Sequence, residues 1–558
     1  MPTRAEMWDR LGRPVDVLVI GGGITGAGIA RDAAMRGLRV ALVEMRDLAF
    51  GTSSRSSKLV HGGLRYLEQY EFSLVFEAVS ERRILLDIAP HLVQPLGFLF
   101  PVYRGSRQPL WLLNAGMWLY DGLSLFRSPR IHQQLSASEV AETEPSLKTQ
   151  GLKGAPLYYD CATDDARLTL ENAIDAARHG AVIATGAKVV GLTKDETGRV
   201  SGAVVEDART GERREVPAGV VVNATGPWTD RTIALSKALE GGSLLRPTKG
   251  VHIVVDSARL GIEHAVVCFH PEDGRVLFAI PWGERTYIGT TDTDDDADPS
   301  EIRATGEDVD YLLEATNDYF PHAKLTRDDV FSTWAGLRPL IRPVSADGTV
   351  DESAVSREHQ IVVGKDGLIT IAGGKLTTYR RMAAEVVDTS VKMMRLTGAL
   401  PARIGTAPTD REPLPGGQGW PDDDEMSALV ERVHEVSEQA ISGSAAELLA
   451  RTYGMRALEL ARRVRLNPEL AQPLVDGRPE LLVAVDWAVE EEFAHEVEDV
   501  MIRRTQLFFR DKDQGLGAVS LVGERMAALL GWSDERRQQS EAAYRHEVAL
   551  ARAWRSET

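Results

Sequence analysis

Residues 16–44 constrain this chain more than any other stretch. DVLVI (16–20) has the unbroken, β-branched apolar character of a fully buried strand. Gly21-Gly22-Gly23-Ile24-Thr25-Gly26 follows at once. Residues 24–35 then carry helical spacing, Gly37 stops that helix, and RVALVE (39–44) reads as a second strand. A strand, helix and strand within about thirty residues require a parallel sheet. The glycines satisfy G-x-G-x-x-G between a strand and a helix. Gly21 permits the tight turn, Gly23 lets a diphosphate approach the backbone, and Gly26 lets helix and strand pack closely. The helix N-terminus offers positive potential, and Glu44, ending the second strand, is placed to accept from ribose hydroxyls. The register predicts dinucleotide binding and leaves FAD and NAD both open.

The rest of the chain is too long for one core. At about 150 residues per domain, 558 residues give three to four units. Apolar residues make up 43% and charged residues 26%, which excludes wholesale disorder. With 64 basic and 82 acidic side chains the formal charge is −18, which argues against a nucleic-acid partner but not against a local basic pocket for one small anion. Two cysteines, Cys161 and Cys268, exclude a disulfide scaffold and a Cys-rich metal site, and a reducing cytoplasm is the simplest compartment. His61, His91, His132 and His179 show no metal-ligand spacing, so no metal is expected. The first fourteen residues lack an apolar signal core, a strand is expected directly after them, and no window reaches the roughly 18 clean apolar residues of a spanning helix.

Along the chain, residues 164–179 read as a helix ended by Gly180. AVIATGAKVVGLT and SGAVVED read as an antiparallel meander, and GVVVNATG as one more buried strand. VHIVV, RVLFAI and TYIGTTD suggest a second, mostly antiparallel sheet. IVV and LITIAG precede a helix beginning at GGKLTTYR. A Pro- and Gly-rich linker occupies 407–425. Helices follow, among them MSALVERVHEVSEQA, EEEFAHEVEDVMIRRTQLFF and one capped by Ser533. The expected architecture is α/β plus α: a Rossmann-type nucleotide domain, an antiparallel-sheet substrate domain and an all-helical C-terminal domain. The boundaries expected are 1–65, 151–245 and 345–395 for the first, 66–150 and 246–344 for the second, and 396–558 for the third.

Two further segments favour a flavin. GTSSRSSKLVHGGLRY (51–66) is a Ser- and Gly-rich loop just past Glu44, able to wrap a cofactor with hydroxyl and backbone donors, and VVNATGPW is a buried strand ending in a glycine turn. Together with VIGGGITGAGIARDAAMRGLRVALVE, DDARL, KGVHIVV, IGTTD, GLRPL and GGKLTTYR, these stretches run in order from Val19 to Arg380. In them the chain resembles the FAD-dependent, respiratory glycerol-3-phosphate dehydrogenases, within the glycine- and D-amino-acid-oxidase-like flavoproteins. EDVMIRRT resembles that family's C-terminal domain less specifically. Leu337 stands where the family pattern has Val, an apolar exchange that leaves Arg338 in register.

The resemblance implies FAD as cofactor and oxidation of sn-glycerol 3-phosphate at C2 to dihydroxyacetone phosphate, with electrons passed to a membrane quinone. Close alternatives are an oxidase giving electrons to oxygen and a non-catalytic flavin-binding module. A dianionic substrate needs several cations, and Arg65, Tyr66, Arg338, Arg357 and Lys375 stand in matching motifs. His252 is the expected general base, on the resemblance and on the near-neutral pKa of an ordinary histidine, although alternation leaves its face open. Arg338 is expected to stabilise the developing alkoxide. Gly21, Gly23, Gly26, Glu44, Thr52, Ser53, Ser54, Gly226, Gly374, Leu376 and Thr377 are the expected cofactor contacts.

One apolar run remains, QPLWLLNAGMWLYDGLSLF (108–126), flanked by Arg104, Arg107 and Arg127. Aromatics with flanking cations suit a membrane interface, and a core helix of the substrate domain is the competing reading. The resemblance tips the balance to a peripheral site on the inner face of the plasma membrane, where a quinone is reached. A homodimer is compatible with this reading.

Overall fold

The structure is a computed structural model that describes residues 1–63, 71–124, 129–236, 243–342, 359–401, 403–421 and 426–557. It opens with a helix, α1 (Arg4–Leu11), where the sequence suggested none before the first strand. Thr3 and Glu6 form a reciprocal capping box, and Met7, Trp8 and Leu11 are buried. Then come β1 (Val15–Ile20), α2 (Ile24–Met35) and β2 (Val40–Glu44), close to the expected unit. A loop leads through β3 (Leu59–Val60) to α3 (Phe72–Ile88), β4 (Gln94–Leu99), β5 (Val102–Tyr103), α4 (Leu110–Leu123), β6 (Gln133–Ser136) and β7 (Leu152–Ala162). Helix α5 (Asp165–Arg178), capped by Asp164, precedes β8 (Val182–Thr185), β9 (Ala187–Lys194), β10 (Val200–Asp207) and β11 (Arg213–Asn223).

The long strand β12 (Leu245–Asp256) is followed by β13 (Ala265–Phe269), β14 (Val276–Trp282), β15 (Arg285–Gly289) and β16 (Thr293–Asp294). After α6 (Gly306–Tyr319) come β17 (Ser332–Ile341), β18 (Gln360–Val363), β19 (Ile369–Ala372) and α7 (Tyr379–Thr397).

Two sheets result. The first runs β18-β19-β11-β1-β2-β8, with β19, β11, β1, β2 and β8 parallel and β9 and β10 forming a meander off β11. Strand β8 is thus not part of the meander in which the sequence reading placed it. It lies parallel to β2, where Val182–Thr185 are buried. The second sheet joins β3–β7 and β12–β17 and is antiparallel except where β13 meets β4. Strands β3 and β7 belong to this second sheet, so the chain crosses back to the first at α5 rather than at residue 151.

C-terminal helices pack beside both sheets. The long helix expected over EEEFAHEVEDVMIRRTQLFF is instead Val483–Glu491, a π-helical turn over Asp499–Arg504, and Leu507–Arg510. The π turn places Arg503 and Arg504 on the buried carboxylate of Asp47, just past β2, with Arg504 reaching it at 2.7 and 2.8 Å. Arg167 of α5 reaches Glu492 in the same buried seam. These pairs lock the helical part onto the loop that follows Glu44.

Helix α4 faces outward. Trp111 is 71% exposed and Trp118 54%, and Leu112 and Leu119 lie open beside them. Phe72 and Phe76 of the adjoining α3 are exposed too, and so are Arg104 and Arg107. Among the described residues no helix is long and apolar enough to cross a membrane.

Candidate active site

The cofactor end lies at the carboxyl ends of β1, β2 and β11. After β1 the chain turns at Gly21 (φ +109°) and enters α2 at Gly23 with no side-chain cap. A Cβ on Gly21 would sit 2.6 Å from the Ala224 carbonyl oxygen, and one on Gly26 would run into the Gly21 carbonyl oxygen. Backbone approaching backbone therefore fixes both as glycine. Ser53 Oγ accepts from the Ile24 N–H at 2.9 Å, so the loop past β2 leans on the positive end of α2. A Cβ at Gly23 would come within 3.1 Å of that hydroxyl.

Glu44 accepts from the N–H groups of Gly22 (2.7 Å) and Arg46 (2.9 Å). Burial raises its carboxyl above the ordinary value, with these two N–H groups opposing. Past β11, Gly226 (φ +53°) opens the 3-10 turn Gly226–Trp228. Past β19, Gly373 and Gly374 (φ +71° and +83°) lead into Leu376–Thr378 and α7. A glycine cradle at a helix N-terminus and a buried carboxylate beside it fit a dinucleotide: diphosphate at Gly21–Gly26 and ribose at Glu44.

The Ser-rich loop continues along one face of the second sheet. Thr52 Oγ1 donates to Leu337 O at 2.6 Å, Trp334 Nε1 to Ser56 O at 3.1 Å, and Tyr287 OH to Ser57 O at 2.9 Å. Ser57 Oγ lies 2.9 Å from His252 Nε2. Lys58 Nζ and the Ser56 hydroxyl both donate to Asp165, at 2.6 and 2.7 Å.

Register settles the face of His252. It pairs across the ladder with Trp334, and Gly250 with Gly336, while Arg338 pairs with Thr248. His252, Trp334 and Arg338 therefore share a face. The imidazole stacks on Trp334 at 4.8 Å and 15°. Its Nδ1 is buried with no hydrogen-bond partner among the described residues. The near-neutral pKa expected for His252 needs correcting. Burial first, then the charges of Arg338 and Lys58, push it well below 6.5, so the ring is uncharged at neutral pH. Arg338 donates from Nη2 to Thr290 Oγ1 (2.9 Å) and Thr291 O (3.2 Å), and from Nη1 to Asp292 Oδ1 (3.1 Å). A Cβ on Gly250 would fall 2.6 Å from that Thr290 hydroxyl, so the glycine keeps room beside the guanidinium.

The other expected residues fall differently. Lys375 lines a cavity of about 230 Å³ with Glu77, Arg381 and Glu385, so its surroundings mix both signs of charge. Arg65, Tyr66 and Arg357 lie outside the described residues. Ser54 is buried and its hydroxyl turns back to Gly51 O at 3.5 Å. Leu376 packs on the apolar cluster that holds Ile24 and Tyr379. The Thr377 hydroxyl exchanges hydrogen bonds with the His61 backbone at 3.2 and 3.3 Å. Ser57, Trp334, Tyr287 and the Lys58–Asp165 pair join the His252 face without having been expected from the sequence. Ser57 and Lys58 stand in the Ser-rich run, and Trp334 lies four residues before Arg338, the spacing of one strand face. Among the described residues no group of three or more His, Cys, Asp or Glu could hold a metal.

Residues 16–380 match the family of FAD-dependent oxidoreductases, and the chain belongs to that family. Its cofactor is accordingly FAD. Residues 407–537 match the C-terminal domain of alpha-glycerophosphate oxidase. The chain is similar to the glycerol-3-phosphate dehydrogenase of Mycobacterium leprae (strain TN), with 41% identity over 98% of this chain and 90% of that one. It is also similar to the aerobic glycerol-3-phosphate dehydrogenase of Staphylococcus haemolyticus (strain JCSC1435), with 39% identity over 97% and 95%. Among solved structures, the glycerol-3-phosphate dehydrogenase from Bacillus halodurans complexed with FAD aligns at a TM-score of 0.80 and 34% identity, covering 98% of this chain and 97% of that one.

Proposed function

We propose that this enzyme oxidises sn-glycerol 3-phosphate to dihydroxyacetone phosphate and passes the electrons to a membrane quinone. The observation that carries the chemistry is the pairing of a buried, uncharged His252 with Arg338 on the sheet face that the Ser-rich loop covers. FAD, when bound, supplies the hydride acceptor for C2. Gly21, Gly23, Gly26, Glu44, Thr52, Ser53, Ser54, Gly226, Gly374, Leu376 and Thr377 hold it. His252 takes the C2 hydroxyl proton through a ring nitrogen. Its stack on Trp334 and its contact with Ser57 fix the ring plane, so little reorganisation accompanies the transfer. Arg338, anchored on Thr290 and Asp292, faces the oxygen where negative charge grows. Lys375, with Arg65 and Arg357, neutralises the phosphate, and Tyr66 donates a hydrogen bond to it.

The open apolar faces of α3 and α4, with Arg104 and Arg107 at their edge, sit on the inner face of the plasma membrane. The similarity of 407–537 to an oxidase domain supports a second reading in which oxygen is the acceptor. Steady-state turnover with glycerol 3-phosphate separates the two. Quinol without peroxide supports the dehydrogenase, and stoichiometric peroxide supports the oxidase. Failure to form dihydroxyacetone phosphate with either acceptor overturns both.

A further inference from the structure

We propose that Ser57 is a catalytic residue, its hydroxyl relaying the proton from the C2 hydroxyl of the substrate to His252 Nε2. The inference rests on the reading that His252 is the base for glycerol 3-phosphate. An uncharged imidazole offers one lone pair, on Nδ1 or on Nε2. Nδ1 is buried, and no described residue partners it. The ring has no room to swing it outward. His252 is 2% exposed, and β12 lies between β15 and β17, with Gly289 and Trp334 as its cross-strand neighbours. Trp334 stacks on the ring at 4.8 Å, and a Cβ on Gly289 would run into the ring's Cδ2. The other nitrogen, Nε2, lies 2.9 Å from Ser57 Oγ. It is covered by a hydroxyl, so a proton from outside reaches the imidazole through that hydroxyl. Ser57 keeps part of its surface open where His252 does not.

The backbone on either side of that hydroxyl is pinned. Tyr287 OH donates to Ser57 O at 2.9 Å, and Trp334 Nε1 donates to Ser56 O at 3.1 Å. Ser56 also donates to Asp165 from its N–H at 3.0 Å and its hydroxyl at 2.7 Å, and the Lys58 N–H donates to Ser56 Oγ at 2.9 Å. None of these bonds uses the Ser57 hydroxyl, so replacing it leaves the loop its anchors. In the relay, Ser57 Oγ–H gives its proton to Nε2 while the C2 hydroxyl gives its own to Ser57 Oγ. The C2 hydride leaves to FAD with its electron pair, and C2 becomes the carbonyl carbon of dihydroxyacetone phosphate. Serine ends with the hydroxyl it began with, and the imidazole ends with a proton on each nitrogen. Burial, Arg338 and Lys58 all disfavour that charged ring, so the proton leaves again by the same hydroxyl.

The test is anaerobic flavin reduction by glycerol 3-phosphate in the full-length holoenzyme, run in mixtures of light and heavy water. Two protons move together in the relay, so the limiting rate should fall along a bowed curve as the deuterium fraction rises. A straight or flat line would overturn the relay. Ser57→Ala should lower the limiting rate roughly 100-fold, the contribution of one proton-transfer group, with half-saturating substrate and FAD content nearly unchanged. Ser57→Thr, which keeps a hydroxyl, should recover most of that rate and the bowed curve. An undiminished limiting rate in FAD-replete Ser57→Ala would overturn the proposal. If Ser57→Ala loses FAD, the curves of wild type and Ser57→Thr decide instead. His252→Gln separates the relay from the reading beneath it. If that variant is reduced as fast as wild type, His252 is not the base. If it is slow while Ser57→Ala is not, the relay alone fails.

Discussion

Helices α2 and α4 are similar in length, 12 and 14 residues, and both are rich in apolar side chains, yet the protein treats them oppositely. Ten residues of α2 are buried, whereas in α4 only Met117, Tyr120 and Asp121 are. Side-chain size accounts for the contrast. Glycines and alanines let α2 press against β1, α5 and α7, with a Cβ on Gly28 already 3.0 Å from the Tyr379 ring. The large side chains of α4 cannot enter so narrow a seam, and they stand outward while Met117, Tyr120 and Asp121 alone turn inward. Apolar content thus did not decide burial. The small residues mark the helix proposed to serve the cofactor, and the large ones mark the helix that faces outward.

The sharpest way to break the contrast is to enlarge a glycine of α2. Gly26→Ala places a methyl against a carbonyl oxygen that cannot retreat. It should cost at least about 3 kcal/mol, with loss of bound FAD after gel filtration. Normal FAD content would mean that the turn after β1 is looser than its geometry implies. Next in size comes Arg338→Ala, on the face of the second sheet that carries His252. Loss of alkoxide stabilisation of ~2–3 kcal/mol should lower kcat/KM about 30- to 150-fold, with melting temperature little changed. Wild-type kinetics in an FAD-loaded variant would remove Arg338 from the chemistry.

Substitution on α4 should spare the protein itself. Trp111→Glu with Trp118→Glu should reduce partition onto anionic liposomes by about tenfold or more and leave flavin reduction by substrate intact. If the double variant unfolds or loses FAD, α4 is a buried helix after all. A change of assembly state with no change in liposome binding would assign the face to a second copy of the chain. The smallest expected effect is a flat line. Because His252 is held well below 6.5 by burial and by Arg338 and Lys58, the imidazole stays a competent base as pH falls. The rate of flavin reduction should hold steady from pH 8 to about pH 6 instead of halving near an ordinary histidine pKa of about 6.5. A midpoint at 6.5 that moves in Arg338→Ala would show the imidazole to be solvated.

Local signals were the legible ones. The unit β1-α2-β2 could be read closely because its strand, glycine turn and helix lie side by side in the chain. Helix α1 was overlooked although Thr3 and Glu6 spell a capping box. Strand β8 was misplaced because its partner β2 lies about 140 residues earlier, and nothing in VIAT says which neighbour it takes. The π turn at Asp499–Arg504 follows from burying Arg503 and Arg504 on Asp47, a contact spanning more than 450 residues. For the proposed site, motif positions picked out His252 and Arg338 as candidates. Their shared face became readable only from the register of β12 with β17. The shift on His252 needed its neighbours, since burial and two distant cations cause it.

One measurement bears most directly on the assignment: anaerobic titration of the purified holoenzyme with sn-glycerol 3-phosphate, followed by flavin absorbance. Stoichiometric substrate should bleach the flavin and yield dihydroxyacetone phosphate, and added quinone should return the oxidised spectrum. A flavin that stays oxidised with excess glycerol 3-phosphate, yet is bleached by a chemical reductant, would contradict the assignment.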